Sequence, residues 1–259
     1  MIRHQIILSS SYSEGVRICL DFPECSPEDL KTAIEKISSA YDGKRVSFST
    51  HMVHTDSYDW DSVIEKDPYF DDVRVIDSVD DFVEIIKKDR YLTGMDVAKY
   101  ILSKQKCTHT RLEKLTYMCY ADYLCATKEK LFDDEIYAFQ YGPIVESVYK
   151  QFREYSKEHP GAIIDDEKDD GSCYSLDLRI QMRSRILFSE DGEKKLDSID
   201  RTIDRYYSMK TDQLVELTHT EGSPWHITKS KKRILFEALP YIKIADDDIM
   251  KYHHAEESC

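Results

Sequence analysis

The residue types able to do chemistry are abundant in this chain, and their spacing decides what they could do. Nine His and seven Cys invite a metal centre, but structural zinc wants four closely spaced ligands. His51 and His54 stand three apart, in a stretch that reads as strand passing into loop, with no second ligand pair nearby. Cys107 and His109 fall between two helical patterns and lack a CxxC or HxxxH partner. The expectation is no metal site. Cys119 and Cys125 lie on or near an apolar helix face and read as core. No GxSxG elbow supplies a nucleophile. No P-loop or GxGxxG occurs, and 8 Gly leave few backbone cradles for phosphate. With 50 acidic residues, paired carboxylates carry no information. The residues therefore point to a protein with no cofactor and no catalytic site of its own.

Two segments stand out. In Thr218-His219-Thr220-Glu221-Gly222-Ser223-Pro224-Trp225, a Thr-His pair ends a helix and a short flexible stretch leads to Pro-Trp. On a structural reading Leu214 and Leu217 pack inward, Trp225 anchors the loop to the domain, and His219 bonds to backbone or a hydroxyl. On a functional reading His219 is a general base or recognition group, since His titrates near neutrality. Tyr141-Gly142-Pro143 reads as a turn: Gly142 permits it, Pro143 stiffens the entry to the next helix, and Tyr141 packs on it. Its functional reading is an aromatic presented to a partner.

The elements that must position these residues fall into two parts. Residues 1–90 read as a small α+β domain. His4 to Ser9 and Val16 to Phe22 look like strands joined at Ser13 to Gly15. Ser26-Pro27-Glu28-Asp29 opens a helix with Leu30, Ala33, Ile34, Ile37 and Tyr41 on its apolar stripe, ended by Asp42-Gly43. Arg45 to Thr50 and Val73 to Ile76 read as strands, and Asp80 to Lys88 as a helix. Residues 91–259 read as a mainly helical domain with a short β element. Thr110-Arg111-Leu112-Glu113 matches a capping box. Ile136 to Gln140 alternates like a strand, Pro143 begins a helix, and Ser189 caps another. A short helix starts at Thr211. Ile242 and Ile244 look extended, and Asp246 to His253 closes the chain as a helix. The fold class is thus α+β.

Charge and composition narrow the partners. The net charge is −14, and the longest basic run is Lys231-Lys232-Arg233, so direct nucleic-acid binding is disfavoured. Residues 1–90 hold 19 acids against 11 bases, the more acidic part of the chain. An acidic surface speeds encounter with a basic protein, or simply maintains solubility. Asp165 to Gly171 is an acidic loop, read as solvated surface. Ile6-Ile7-Leu8 is too short for a secretory signal, and no stretch is long enough to span a bilayer. An odd number of cysteines without CxxC suits free thiols in a reducing cytoplasm.

Ordered motifs then carry a resemblance. They are Arg111-Leu112-Glu113-Lys114-Leu115-Thr116-Tyr117, Leu131-Phe132-Asp133, Phe139-Gln140-Tyr141-Gly142-Pro143-Ile144-Val145-Glu146-Ser147-Val148-Tyr149, and Leu217 through Trp225. Over about residues 93–255 the chain resembles the Panacea, or SocA-like, antitoxin domain. Ile144 stands where Val is usual, and Arg111 and Glu113 stand where Lys and Gln are common. The resemblance implies a mostly helical domain that binds and neutralises a cognate protein toxin, in a bacterial or prophage operon. The alternatives are an adaptor that hands the toxin to a protease, and an enzyme using His219. Tyr141, Gly142, Pro143, Thr218, His219, Pro224 and Trp225 are the motif and partner-binding candidates. Residues 1–90 lie outside the resemblance and are a natural place for partner-specific contacts.

Overall fold

The computed structural model describes residues 1–40, 47–159, 161–164, 176–231 and 242–254. A β-rich N-terminal region precedes a helical one, giving an α+β chain. It divides into two compact units, Met1–Arg90 and Tyr91–Cys259.

In the first unit β1 (Ile2–Ser11) and β2 (Val16–Pro23) form an antiparallel hairpin, with Ile7 opposite Leu20. Gly15 at φ +69° closes its turn. β3 (Ser49–Thr55) runs antiparallel to β1, and β4 (Val73–Val75) parallel to β2, in the order β3-β1-β2-β4. Side chains alternate across the sheet, so each strand feeds two cores. Ile7, Ile18 and Leu20 pack under α1 (Pro27–Ser39) and α3 (Val79–Lys88). Ile6, Leu8 and Cys19 pack with Val63 of α2 (Trp60–Lys66), Phe70 and Val73. Ser26 caps α1 with Asp29 in a reciprocal box, as its sequence indicates. The third strand is shifted from its expected place. It begins at Ser49 and carries His51 and His54 within it, because pairing with β1 overrides their polarity. Arg45, Asp42-Gly43 and the acidic loop Asp165 to Gly171 lie outside the described residues.

The second unit is built around α5 (His109–Thr127), fourteen of whose nineteen residues are buried. Around it lie α4 (Gly94–Lys104), α6 (Glu146–Glu158), α7 (Leu176–Leu187), α8 (Gly192–Tyr206), α9 (Thr211–His219), α10 (Pro224–Lys231) and α11 (Asp246–Tyr252). A small sheet of β5 (Ile136–Phe139), β6 (Gly142–Val145) and β7 (Ile242–Lys243) has the order β6-β5-β7. Among the described residues no helix is long and apolar enough to cross a membrane.

The structure departs from four local expectations. Thr108, not Thr110, caps α5, accepting from the Arg111 amide. Thr110 is already inside the helix, and Glu113 points inward. Pro143 does not begin a helix: it lies in β6 opposite Ala138, and α6 starts three residues later. Ser189 closes the turn after α7 by donating to Ile186 O at 2.6 Å, and Asp191 in the left-handed region precedes α8. Trp225 sits in the first turn of α10 and not in a loop.

Candidate functional site

The motif segments converge on one structure, the β5–β6 hairpin. A buried charged side chain needs a partner, and Glu113 and Lys114 of α5 find theirs on the hairpin's backbone. The Glu113 carboxylate, 1% exposed, accepts from the Val145 amide at 3.0 Å through Oε2 and faces His109 Nε2 at 3.2 Å through Oε1. Lys114, equally buried, donates from Nζ to the Pro143 carbonyl at 2.8 Å. Arg111 turns the other way. Its guanidinium donates to the carbonyls of Tyr206, Tyr207 and Met209, capping the C-terminal end of α8.

The α9–α10 corner grips the hairpin from its other side. Trp225 Nε1 donates to the Phe139 carbonyl at 2.7 Å. His219 Nε2 stands 3.2 Å from the Gln140 carbonyl, and its Nδ1 2.6 Å from Val215 O. Its ring lies against Trp225, centroids 3.8 Å apart. Thr218, fully buried, donates to Val215 O at 2.9 Å, and Ser223 Oγ returns to Thr218 O at 2.9 Å. Pro224 is buried at the start of α10, where the missing N–H costs nothing. Gly142 adopts φ +101°, and a Cβ there would meet Thr218 Oγ1 at 2.7 Å and Lys114 Cε at 2.9 Å. Only hydrogen fits between these two side chains, so the glycine answers both a conformational and a steric demand.

Of the seven candidate residues, Gly142 and Pro143 form this hairpin, Thr218, His219 and Trp225 brace it, and Pro224 is buried beside Trp225. Tyr141 differs. It sits at the hairpin's turn, 66% exposed, on the edge of a cleft of about 300 Å³ lined also by His109, Phe139, Ile144 and Tyr149. His109 stacks on Tyr149 at 5.8 Å. Arg153 and Lys157 stand at the same cleft and share Glu154, at 3.6 and 3.0 Å.

The reading of His219 as a general base needs its ring to face a cleft. Tyr141 lines the cleft and His219 does not. Both ring nitrogens of His219 face backbone carbonyls, an arrangement that orients a ring and leaves no lone pair directed at a substrate proton. Among the described residues no group of three or more His, Cys, Asp or Glu is placed to hold a metal ion.

Two buried histidine sets escaped sequence reading, because their members lie far apart along the chain. His4, fully buried, stands 2.8 Å from Asp21 Oδ2 through Nδ1, and through Nε2 3.1 Å from Thr55 Oγ1 and 2.9 Å from Ser57 O. Burial pushes the Asp21 carboxyl up, opposed by His4. This acid–imidazole–hydroxyl order resembles a catalytic relay, but the Thr55 hydroxyl donates to Ser57 O at 2.6 Å and is buried. It pins β1, β2 and the segment after β3 together. In the second unit Asp122 receives Thr202 Oγ1 at 2.6 Å and lies 2.7 Å from His253 Nε2, joining α5, α8 and the end of α11.

No curated protein and no solved structure matches the chain. A family model does match, over residues 112–226, and that span runs from the inward-facing stretch of α5 through the hairpin to the Trp225 corner. Residues 112–226, within the second unit, are thus similar to the antitoxin SocA-like, Panacea domain.

Proposed function

We propose that this protein is a cytoplasmic antitoxin that neutralises a cognate protein toxin by binding it directly, without catalysis. The observation that carries the reading is the family match over the segments that clamp the β5–β6 hairpin. That clamp spends the motif's polar groups on backbone and leaves Tyr141 presented beside an aromatic cleft. A rigid, amphipathic Tyr at the mouth of a cleft suits a binding hot spot. The acidic first unit, Met1–Arg90, supplies the contacts that select the partner.

The test is co-expression. A neighbouring open reading frame that arrests growth should be tolerated when this chain is present, with both proteins recovered as a complex. Rescue accompanied by disappearance of the toxin would indicate delivery to a protease instead. Failure of every adjacent gene product to be both toxic and rescued would reject the reading. Removal of residues 1–90 is expected to weaken neutralisation, and full activity without them would assign them a role other than selection.

A further inference from the structure

The edge of the first unit's sheet offers an inference independent of the toxin. Among the described residues β3 is an outer strand, paired only with β1. It is seven residues long, Ser49 to Thr55. Among the described residues no backbone hydrogen bond from outside the sheet reaches it. Natural proteins protect such edges with lysine, proline, a bulge or a very short strand. β3 has none of these: its sequence, Ser-Thr-His-Met-Val-His-Thr, contains no Lys, Arg, Asp, Glu or Pro. β4, at the opposite edge, is three residues long.

Met52 is the central residue of the strand and is 61% exposed. It shares a face with Thr50 and His54, both exposed, while His51 and Val53 turn towards the Phe70 core. We propose that β3 pairs antiparallel with β3 of a second copy of this chain, about a twofold axis at Met52, making one continuous eight-stranded sheet.

The strand is self-complementary in that register. Met52 meets Met52 of the second copy and hides the largest apolar side chain on the edge. Thr50 meets His54 on the same face, and His51 meets Val53 on the other. Asp56, the first charged residue after the strand, lies opposite Phe48 and not opposite another acid. In a chain of net charge −14, this is a stretch where two copies approach without like charges facing each other. The pairing also satisfies the row of backbone donors and acceptors that the edge leaves to water.

Sedimentation of the full-length protein across a dilution series should show a reversible monomer–dimer equilibrium. Met52→Lys places two ammonium groups opposite each other and should weaken it by about tenfold or more, with an unchanged circular dichroism spectrum. Under mild oxidation Met52→Cys should form a disulfide-linked dimer that the unsubstituted protein does not form. Thr50→Cys and His54→Cys should each fail alone and crosslink when mixed, because only the mixture brings the two cysteines opposite. A monomer at every concentration would overturn the proposal. So would a dimer indifferent to Met52→Lys, or crosslinking by Thr50→Cys alone, which would indicate another register or another surface.

Discussion

Gly142 and Thr218 approach so closely that a methyl group on Gly142 would lie 2.7 Å from the threonine hydroxyl. The residues are far apart in sequence and belong to different motifs, yet each fixes what the other can be. Gly142→Ala adds a clash with Thr218 and Lys114 to the strain of φ +101°. It is expected to destabilise the second unit by about 2 kcal/mol. Urea unfolding followed by Trp225 fluorescence, with Trp60 replaced by Phe, would measure this. Adding Thr218→Ala should restore part of the loss, since neighbouring substitutions are not additive. Equal stability of Gly142→Ala and the parent would contradict the geometry.

Trp225→Phe separates the hydrogen bond from the packing. It keeps most of the ring but leaves the Phe139 carbonyl without the indole N–H that now reaches it at 2.7 Å. The expected cost is about 1–3 kcal/mol, against about 3–5 kcal/mol for Trp225→Ala, which also opens a cavity. Matching losses for the two variants would mean that the hydrogen bond contributes little.

Tyr141→Ala should behave in the opposite sense. An exposed side chain at a turn carries little stability, so the melting temperature should move by no more than about 0.5 kcal/mol equivalent. Neutralisation of the toxin in co-expression should fall by about tenfold or more, as for a hot-spot aromatic. A variant of full potency would place the binding surface elsewhere.

The thiols give a pH-dependent prediction. Cys19, Cys25, Cys107, Cys119 and Cys125 are not disulfide-bonded. Burial pushes the Cys19 thiol up to about 12 and Cys107 to about 11, the nearby Arg111 only partly offsetting the latter. It raises fully buried Cys119 as well. A raised thiol pKa means less thiolate at a given pH, roughly one part in a thousand at pH 8 for a value near 11. Iodoacetamide at pH 8 should therefore spare these three in the native protein and label them once guanidinium unfolds it, as peptide mass mapping would show. Native labelling of Cys107 as fast as of half-exposed Cys25 would contradict this.

Much of the architecture was legible in sequence because local rules fix it. Strand alternation, the Ser26-Pro27 cap and the apolar stripe of Leu30, Ala33, Ile34 and Ile37 each follow from short-range sterics and periodicity, and the ordered motifs pointed to the family. Errors came where a distant partner outweighs a local signal. Glu113 matched a capping box, but the Val145 amide claims its carboxylate inside the core. Pro143 matched a helix start, but the hairpin claims it as a strand residue whose carbonyl accepts from Lys114 Nζ. His4, Asp21 and Thr55 gave no signal, since only the sheet brings them together. Sequence alone singled out the motif segments, because motif spacing survives in one dimension. Tertiary structure decided what they do. Buried polar groups must find partners wherever packing places them, so Glu113, Lys114, His219 and Trp225 hold the hairpin's backbone while Tyr141 at its turn faces outward.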